Sequence, residues 1–403
     1  MSTEPKTRLV PKLRFPEFLG KAGWTPSTLG MACDMQAGKF VAASNISECH
    51  QTGFFPCYGG NGLRGYTQTH THDGTYPLIG RQGALCGNVR LVHEQFHATE
   101  HAVVATPRTG IDVGWLYYSL DLLNLNRFAT GQAQPGLSVD VLENVALAIS
   151  PLAAEQQKIA DCLSSLDELI AAQGRKVDAL KTHKKGLMQQ LFPREGETQP
   201  RLRFPAFQNT GEWEVSELGG LSDVRDGTHD SPSFFQTGKP LVTSKNLRPD
   251  GALDLENVNL ISEEDYEQIN KRSKVSVGDI LFGMIGTIGN PVLIKLEGFA
   301  IKNVALIKEV GPLSNAFLVQ LLQSGYVAAI FAVLNTGNSQ KFIALGKIRE
   351  LPVPVPSLPE QQRIATCLST LDDLITADTQ ELDTLKTHKK GLMQQLFTST
   401  DGC

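Results

Sequence analysis

LKTHKKGLMQQLF, residues Leu180–Phe192, returns without a single change at Leu385–Phe397. Thirteen identical residues in order, 205 positions apart (385 − 180 = 205), are no accident of composition, and they make this chain a duplication. EQQKIADCLSSLDELI from Glu155 and EQQRIATCLSTLDDLI from Glu360 keep the same spacing. Nearer the start, LRFPEF (Leu13–Phe18) returns as LRFPAF (Leu202–Phe207), with Trp24 and Gly30 matched by Trp213 and Gly219 at an offset of 189 (202 − 13). The growth from 189 to 205 puts about sixteen additional residues in the middle of the second half, where the copies also diverge most. Each half is a variable domain followed by a constant segment.

The constant segments have the spacing of long helices with a seam. Ile159, Leu163, Leu166, Ile170, Val177, Leu180, Leu187 and Leu191 recur in steps of four and three, and Ile364, Leu368, Leu371, Ile375, Leu382, Leu385, Leu392 and Leu396 repeat the pattern. Polar breaks fall at the same two places, Gln173 and Lys184 in the first copy and Asp378 and Lys389 in the second. About five heptads at 1.5 Å per residue give roughly 55 Å, longer than a small domain is wide. Two such helices pack most simply on each other, and if antiparallel they bring Gln173 and Asp378 together near the middle. Pro-rich LPVPVPSLP (Leu351–Pro359) and Ser150-Pro151-Leu152 lead into the helices, and Pro193 closes the first.

The variable parts alternate short β-rich runs (YPLIG, VRLV, AVVAT; DILFG, PVLIK, VALIK) with Gly-rich turns and helical patches such as GWLYYSLDLL. The expected fold class is therefore two mixed α/β (α+β) domains in tandem, separated by two long antiparallel coiled-coil helices, with an internal pseudo-two-fold repeat. The domains are read as residues 1–150 and 194–355, the helices as 151–193 and 356–397. Faint echoes persist between the variable parts: LIGRQGALCGN ending at Asn88 matches LFGMIGTIGN ending at Asn290, and ATGQAQ from Ala129 matches NTGNSQ from Asn335.

Arg, Asn, Gln and His are the side chains that read base edges, and Gly-rich turns bring them forward. Tyr58, Asn61, Arg64, Tyr66, Arg81 and Gln82 in the first half, and Thr228, His229, Ser231, Lys245, Asn246 and Lys341 in the second, are the candidates on that ground. Gln132 and Gln134, matched by Asn338 and Gln340, keep an amide in two otherwise divergent domains. A formal net charge of −5 (Lys+Arg 37, Asp+Glu 42) argues for a local basic face, or for a partner that shares the phosphate contacts.

His93-Glu94-Gln95-Phe96-His97 spells the zinc-peptidase pattern HExxH, with His101 four residues on. That chemistry needs both histidines on one helical face. Here the β-branched, alternating flanks predict strand, turn, strand, and the matching stretch EGFAIKNVALI carries no histidine, so no metal site is expected. No GxxxxGK[ST] loop, no Asn-Pro-Pro-aromatic motif and no GxGxxG fingerprint between a strand and a helix occurs, so cleavage, translocation and methyl transfer are expected from other chains. The seven cysteines (Cys33, Cys49, Cys57, Cys86, Cys162, Cys367, Cys403) show no CxxC pair and read as reduced thiols. With neither a signal peptide nor a membrane-length apolar run, a cytoplasmic protein is expected.

The LRFPEF openings, the EQQ-I helix starts, the IGxxG…GN stretch and the THKKGLMQQLF helix ends together resemble the specificity subunits of Type I restriction-modification systems, over nearly the whole chain. The resemblance implies a non-catalytic chain whose two variable domains each recognise one half of an interrupted, asymmetric double-stranded DNA target. It further implies docking of methylation subunits, two of them, on the constant helices, with motor-nuclease subunits joining for cleavage. S-adenosylmethionine, ATP and Mg²⁺ would reside on those partners. Two other readings stay open: the DNA-reading subunit of a stand-alone or Type II-like methylating complex, and a coiled-coil scaffold with no DNA role.

Overall fold

In the computed structural model, residues 9–83, 85–131, 135–194, 196–334 and 342–398 are described. They form two compact units, residues 1–175 with 379–403 (unit 1) and residues 176–378 (unit 2). The division falls inside both long helices, Ala153–Leu191 and Leu358–Leu396. Each unit therefore owns one variable domain, the start of the helix that follows it, and the end of the other helix.

Both variable domains are built alike. Unit 1 has an antiparallel sheet in the order Cys33–Ala37, Ala102–Pro107, Tyr76–Gly80, Val89–Val92. Unit 2 has Asp223–Asp226, Val304–Lys308, Ile280–Gly283, Gly289–Leu293 in the same order and sense. A smaller sheet leans on each, with Phe55–Gly59 paired in parallel to Gln95–Ala98 in unit 1, and Lys239–Val242 to Ala300–Ile301 in unit 2. The alternation of apolar residues predicts these strands, and YPLIG, VRLV and VALIK are strands from end to end. GWLYYSLDLL makes the helix Val113–Leu122 and its C-cap Leu123, started by the Asp112 side chain accepting from the Trp115 amide. The additional residues of the second half enter between Val242 and Ile280, where unit 2 carries a loop and the helix Glu263–Ser273, capped by Ser262.

Two pairs of strands are not what the residues predict. Pro352–Val355, read as the lead into a helix, is a strand antiparallel to Glu214–Glu217, and Ala146–Ile149 pairs likewise with Thr25–Thr28. Each pair is only two strands wide, so Pro352 and Pro354 sit where a missing N–H breaks no interior ladder. These ribbons tie the beginning of each variable domain to its end.

The long helices explain the repeated motifs. Arg14 of the first LRFP donates to both oxygens of Glu155, the first residue of EQQ, at 2.6 and 2.9 Å. Arg203 does the same to Glu360 at 2.9 and 2.6 Å. Trp24 Nε1 and the Ser150 hydroxyl also donate to Glu155. Burial pushes the Glu155 carboxyl up, but these donors outweigh it and hold it below the usual range. The next residue, Gln156, donates to the carbonyls of Gly110 and Ser150 and accepts from Asp112 N; Gln361 repeats this with Pro312, Pro356 and Ser314. Every group a buried amide must satisfy is satisfied.

At the other end, the repeated LMQQLF closes a core. In unit 1, Met393, Leu396 and Phe397 join the cluster around Trp24 and Trp115, with Phe397 6.0 and 6.1 Å from the two indoles. In unit 2, Met188, Leu191 and Phe192 join the cluster around Trp213, with Phe192 5.6 Å from Phe317. The Leu13 and Leu202 amides donate to the carbonyls of Gln395 and Gln190, fixing each opening segment on its closing helix. Within each unit the helix segments run antiparallel: Asp167 meets Lys389 and Gln173 meets Glu381 in unit 1, while Lys176 meets Asp378 and Lys184 meets Asp372 in unit 2. No seam residue is exposed. The polar breaks are thus partnered by charge, with Gln173 bonded to Glu381 and Asp378 to Lys176.

Candidate nucleic-acid interface

In unit 1 the candidates gather on one turn, Ala98–Ala102. Thr99 N donates to Tyr58 O at 2.8 Å, which seats the hairpin Phe55–Thr67 beside it. Arg81 N donates to His101 O at 2.9 Å, which seats the Arg81–Gly83 loop on its other side. Gly60 is wedged between: a Cβ there would lie 3.0 Å from His101 O and 3.1 Å from Gln82 O. Asn61 and Arg64 are exposed at the hairpin tip, while Gln82 Oε1 accepts from His101 Nδ1 (2.8 Å). Tyr58 packs on Phe96, and burial pushes its phenol up, so the hydroxyl remains a neutral donor. Tyr66 lies edge-on to His50. A polar cleft of about 250 Å³ opens between the hairpin and Asn88, lined by Tyr58, Asn61, Arg90 and Asn124. A larger groove of about 950 Å³ lies elsewhere in the unit, between Phe128, Val145 and Phe397.

In unit 2 the equivalent turn, Ile301–Val304, gathers the second set. His229 contacts Asn303 Oδ1 through Nδ1 (2.7 Å) and Asp226 through Nε2 (2.8 Å). Those two bonds, Asn303 first, raise the imidazole above its ordinary value against the desolvation that lowers it. With both ring nitrogens engaged, His229 has no free base-reading edge. Thr228 bridges Lys302, whose ammonium donates to Ser231 at 2.6 Å. Lys245 is exposed, but Asn246 is turned inward: it accepts from Thr243 N and Oγ1 and donates to Asn257 O, holding the loop.

Gln132, Gln134, Asn338, Gln340 and Lys341 lie outside the described residues. The flanks of both segments are anchored alike. Gly136 pairs with Thr130 and bridges Gln82, and Phe342 bridges Ile285, the corresponding loop of unit 2.

HEQFH starts just after the strand Val89–Val92, turns at Glu94 (φ 63) and enters the next strand at Gln95, the strand-turn-strand path its flanks predict. His93 bonds Thr75, while His97 is buried and bonds Thr69 and Lys39 O. Among the described residues, no three His, Cys, Asp or Glu side chains are grouped to hold a metal ion. Among them, too, no single helix is long and apolar enough to cross a membrane.

Residues 21–182 and 210–387 both match the sequence profile described as Type I restriction modification DNA specificity domain. The chain belongs to this family. The doubled match follows the doubled fold. Among relatives, the Type I restriction enzyme EcoprrI specificity subunit of Escherichia coli is 46% identical over 143 residues, a stretch covering 35% of this chain and 35% of that protein. The MjaVIII specificity subunit of Methanocaldococcus jannaschii is 27% identical over 307 residues, 70% of this chain and 69% of that one. The crystal structure of a Type-I restriction-modification system S subunit from M. genitalium superposes with a TM-score of 0.70 at 18% identity, covering 97% of this chain and 100% of that chain. This likeness establishes that the specificity family's fold is shared.

The sequence missed two things here. The Arg–Glu locks were visible only as repeated letters, since nothing in LRFP or EQQ says that they touch. Phe40, exposed on the loop that the Lys39 amide ties to Ala98 O, stands in no repeated motif.

Proposed function

We propose that this specificity-family chain is the DNA-reading subunit of a Type I restriction-modification complex, and that it carries no catalysis itself. The observation that supports this best is the pairing of constant frame with variable surface. The Arg–Glu locks and the LMQQLF closures are the same in both units, whereas the side chains gathered on Ala98–Ala102 and Ile301–Val304 differ. Each unit reads one half of an interrupted target in double-stranded DNA. Lys39, Arg64 and Arg81 in unit 1, and Lys245, Lys302 and His229 in unit 2, supply local positive charge despite the net charge of −5. The remaining phosphate contacts come from the partners.

Methylation subunits, two per chain, dock on the constant helices and bring S-adenosylmethionine; motor-nuclease subunits bring ATP and Mg²⁺. The complex works in the cytoplasm. Purified alone, the chain is expected to neither cut nor methylate DNA, and to direct adenine methylation once its methylation subunits and S-adenosylmethionine are added. Sequence-specific methylation by the chain alone would overturn this reading.

A further inference from the structure

Each unit builds one loop in the same way. Gly38 follows the strand Cys33–Ala37, and Gly227 follows Asp223–Asp226. A Cβ at Gly38 would lie 2.2 Å from Ala98 O, and one at Gly227 2.2 Å from Ile301 O, so any side chain would force two backbones apart. The residue after each glycine is bonded to the same carbonyl: Lys39 N to Ala98 O at 2.8 Å, Thr228 N to Ile301 O at 3.0 Å. The buried His97 holds Lys39 O at 3.0 Å, and Asn303 N holds Thr228 O at 3.2 Å. The next position is therefore presented by a fixed frame. It is Phe40 in unit 1, 75% exposed, and His229 in unit 2, its side chain 60% exposed.

A lone exposed Phe needs no explanation. What singles this one out is its twin, an equally placed residue of different chemistry. The frame also stands on the turn where Tyr58, Gly60 and Arg81 converge. Among the groups that base pairs show in the major groove, the thymine 5-methyl is the apolar one, and Phe is a side chain that meets it. His229, with both nitrogens engaged by Asp226 and Asn303, has no free edge for a base, and Lys302, bridged to Thr228 beside it, brings a positive charge to this loop.

The geometry points to a paired DNA-contact position, at which Phe40 reads a thymine 5-methyl group in one half-site and His229 meets a phosphate in the other. This rests on the reading of the chain as a DNA-reading subunit.

The test uses the full chain assembled with its methylation subunits, on duplexes carrying the motif that the wild-type complex methylates. Thymines are replaced one at a time by deoxyuridine, which removes only the methyl. Wild type is expected to lose about tenfold in affinity at one thymine of one half-site, and Phe40→Ala to bind more weakly and ignore that replacement. His229→Phe is expected to lower the slope of log affinity against log salt by about 0.9, one phosphate contact, without changing base preference. The proposal is overturned if Phe40→Ala keeps the methyl sensitivity, if wild type shows none in either half-site, or if the variant weakens both half-sites or lowers the melting temperature. A wild-type complex that binds all sequences alike instead refutes the functional reading beneath it.

Discussion

Arg14 and Arg203 carry out one task in two places: each satisfies a glutamate that the fold has taken out of water at the start of a long helix. Removing such a partner leaves a buried carboxylate unpaired, which costs about 3–5 kcal/mol. Arg14→Ala is expected to lower stability by that order in a denaturant titration; a change under about 1 kcal/mol would contradict the lock. Because Glu155 is held below its ordinary value in the folded chain, its contribution is fully present above the unfolded carboxylate pKa of about 4.3 and is lost as pH falls through the lower, folded one. Acid titration should therefore unfold wild type at lower pH than Glu155→Gln, read by circular dichroism. Both residues stood in repeated motifs, so their importance was legible. Their contact was not, because 141 positions separate them and no local rule spans that gap. The amide pairs Gln132/Gln134 and Asn338/Gln340 remain candidates by sequence: changing the first pair to Ala is expected to weaken one half-site only, and the second pair the other. Uniform loss in a competition assay would mean a structural role.

At the scale of elements, what was legible is what repeats at short range. The strands YPLIG, VRLV and VALIK follow from β-branched alternation, and the long helices from steps of three and four. The ribbon Thr25–Thr28 with Ala146–Ile149, and its proline-bearing twin, were not, since pairing across a whole domain leaves no mark in either strand. Nor does sequence say where a helix ends up. The closing segment of unit 1 comes from the end of the chain, and Phe397 fills the gap beside Trp24 and Trp115. Phe397→Ala should cost about 3–5 kcal/mol, as large-to-small changes in a packed core do. Near-native stability would show that Phe397 does not complete that core. Leu166→Asp puts a charge on the shielded seam and should loosen the helices and partner docking together. Unchanged melting and assembly would place the stripe elsewhere.

For the whole molecule, the duplication and the mixed α/β plan could be read from the sequence, while the division of each helix between two units could not. Identical LMQQLF segments close the two cores, so either copy fits either socket. A fragment of residues 1–193 lacks the segment that closes unit 1 but carries its double at 180–192, which a second fragment can supply. Such a fragment is expected to form a homodimer and, with methylation subunits, to direct methylation of an interrupted palindrome. A strict monomer at micromolar concentration in analytical ultracentrifugation would contradict the exchange. The central claim is that two units read two halves independently. Its most direct test is sequencing of methylated adenines in a host carrying the methylation subunits, with the intact chain and with residues 25–149 exchanged for those of another specificity subunit. The intact chain should give one interrupted, two-part motif, and the exchange should rewrite one part while leaving the other unchanged. A motif altered in both parts, or untouched, would contradict the account.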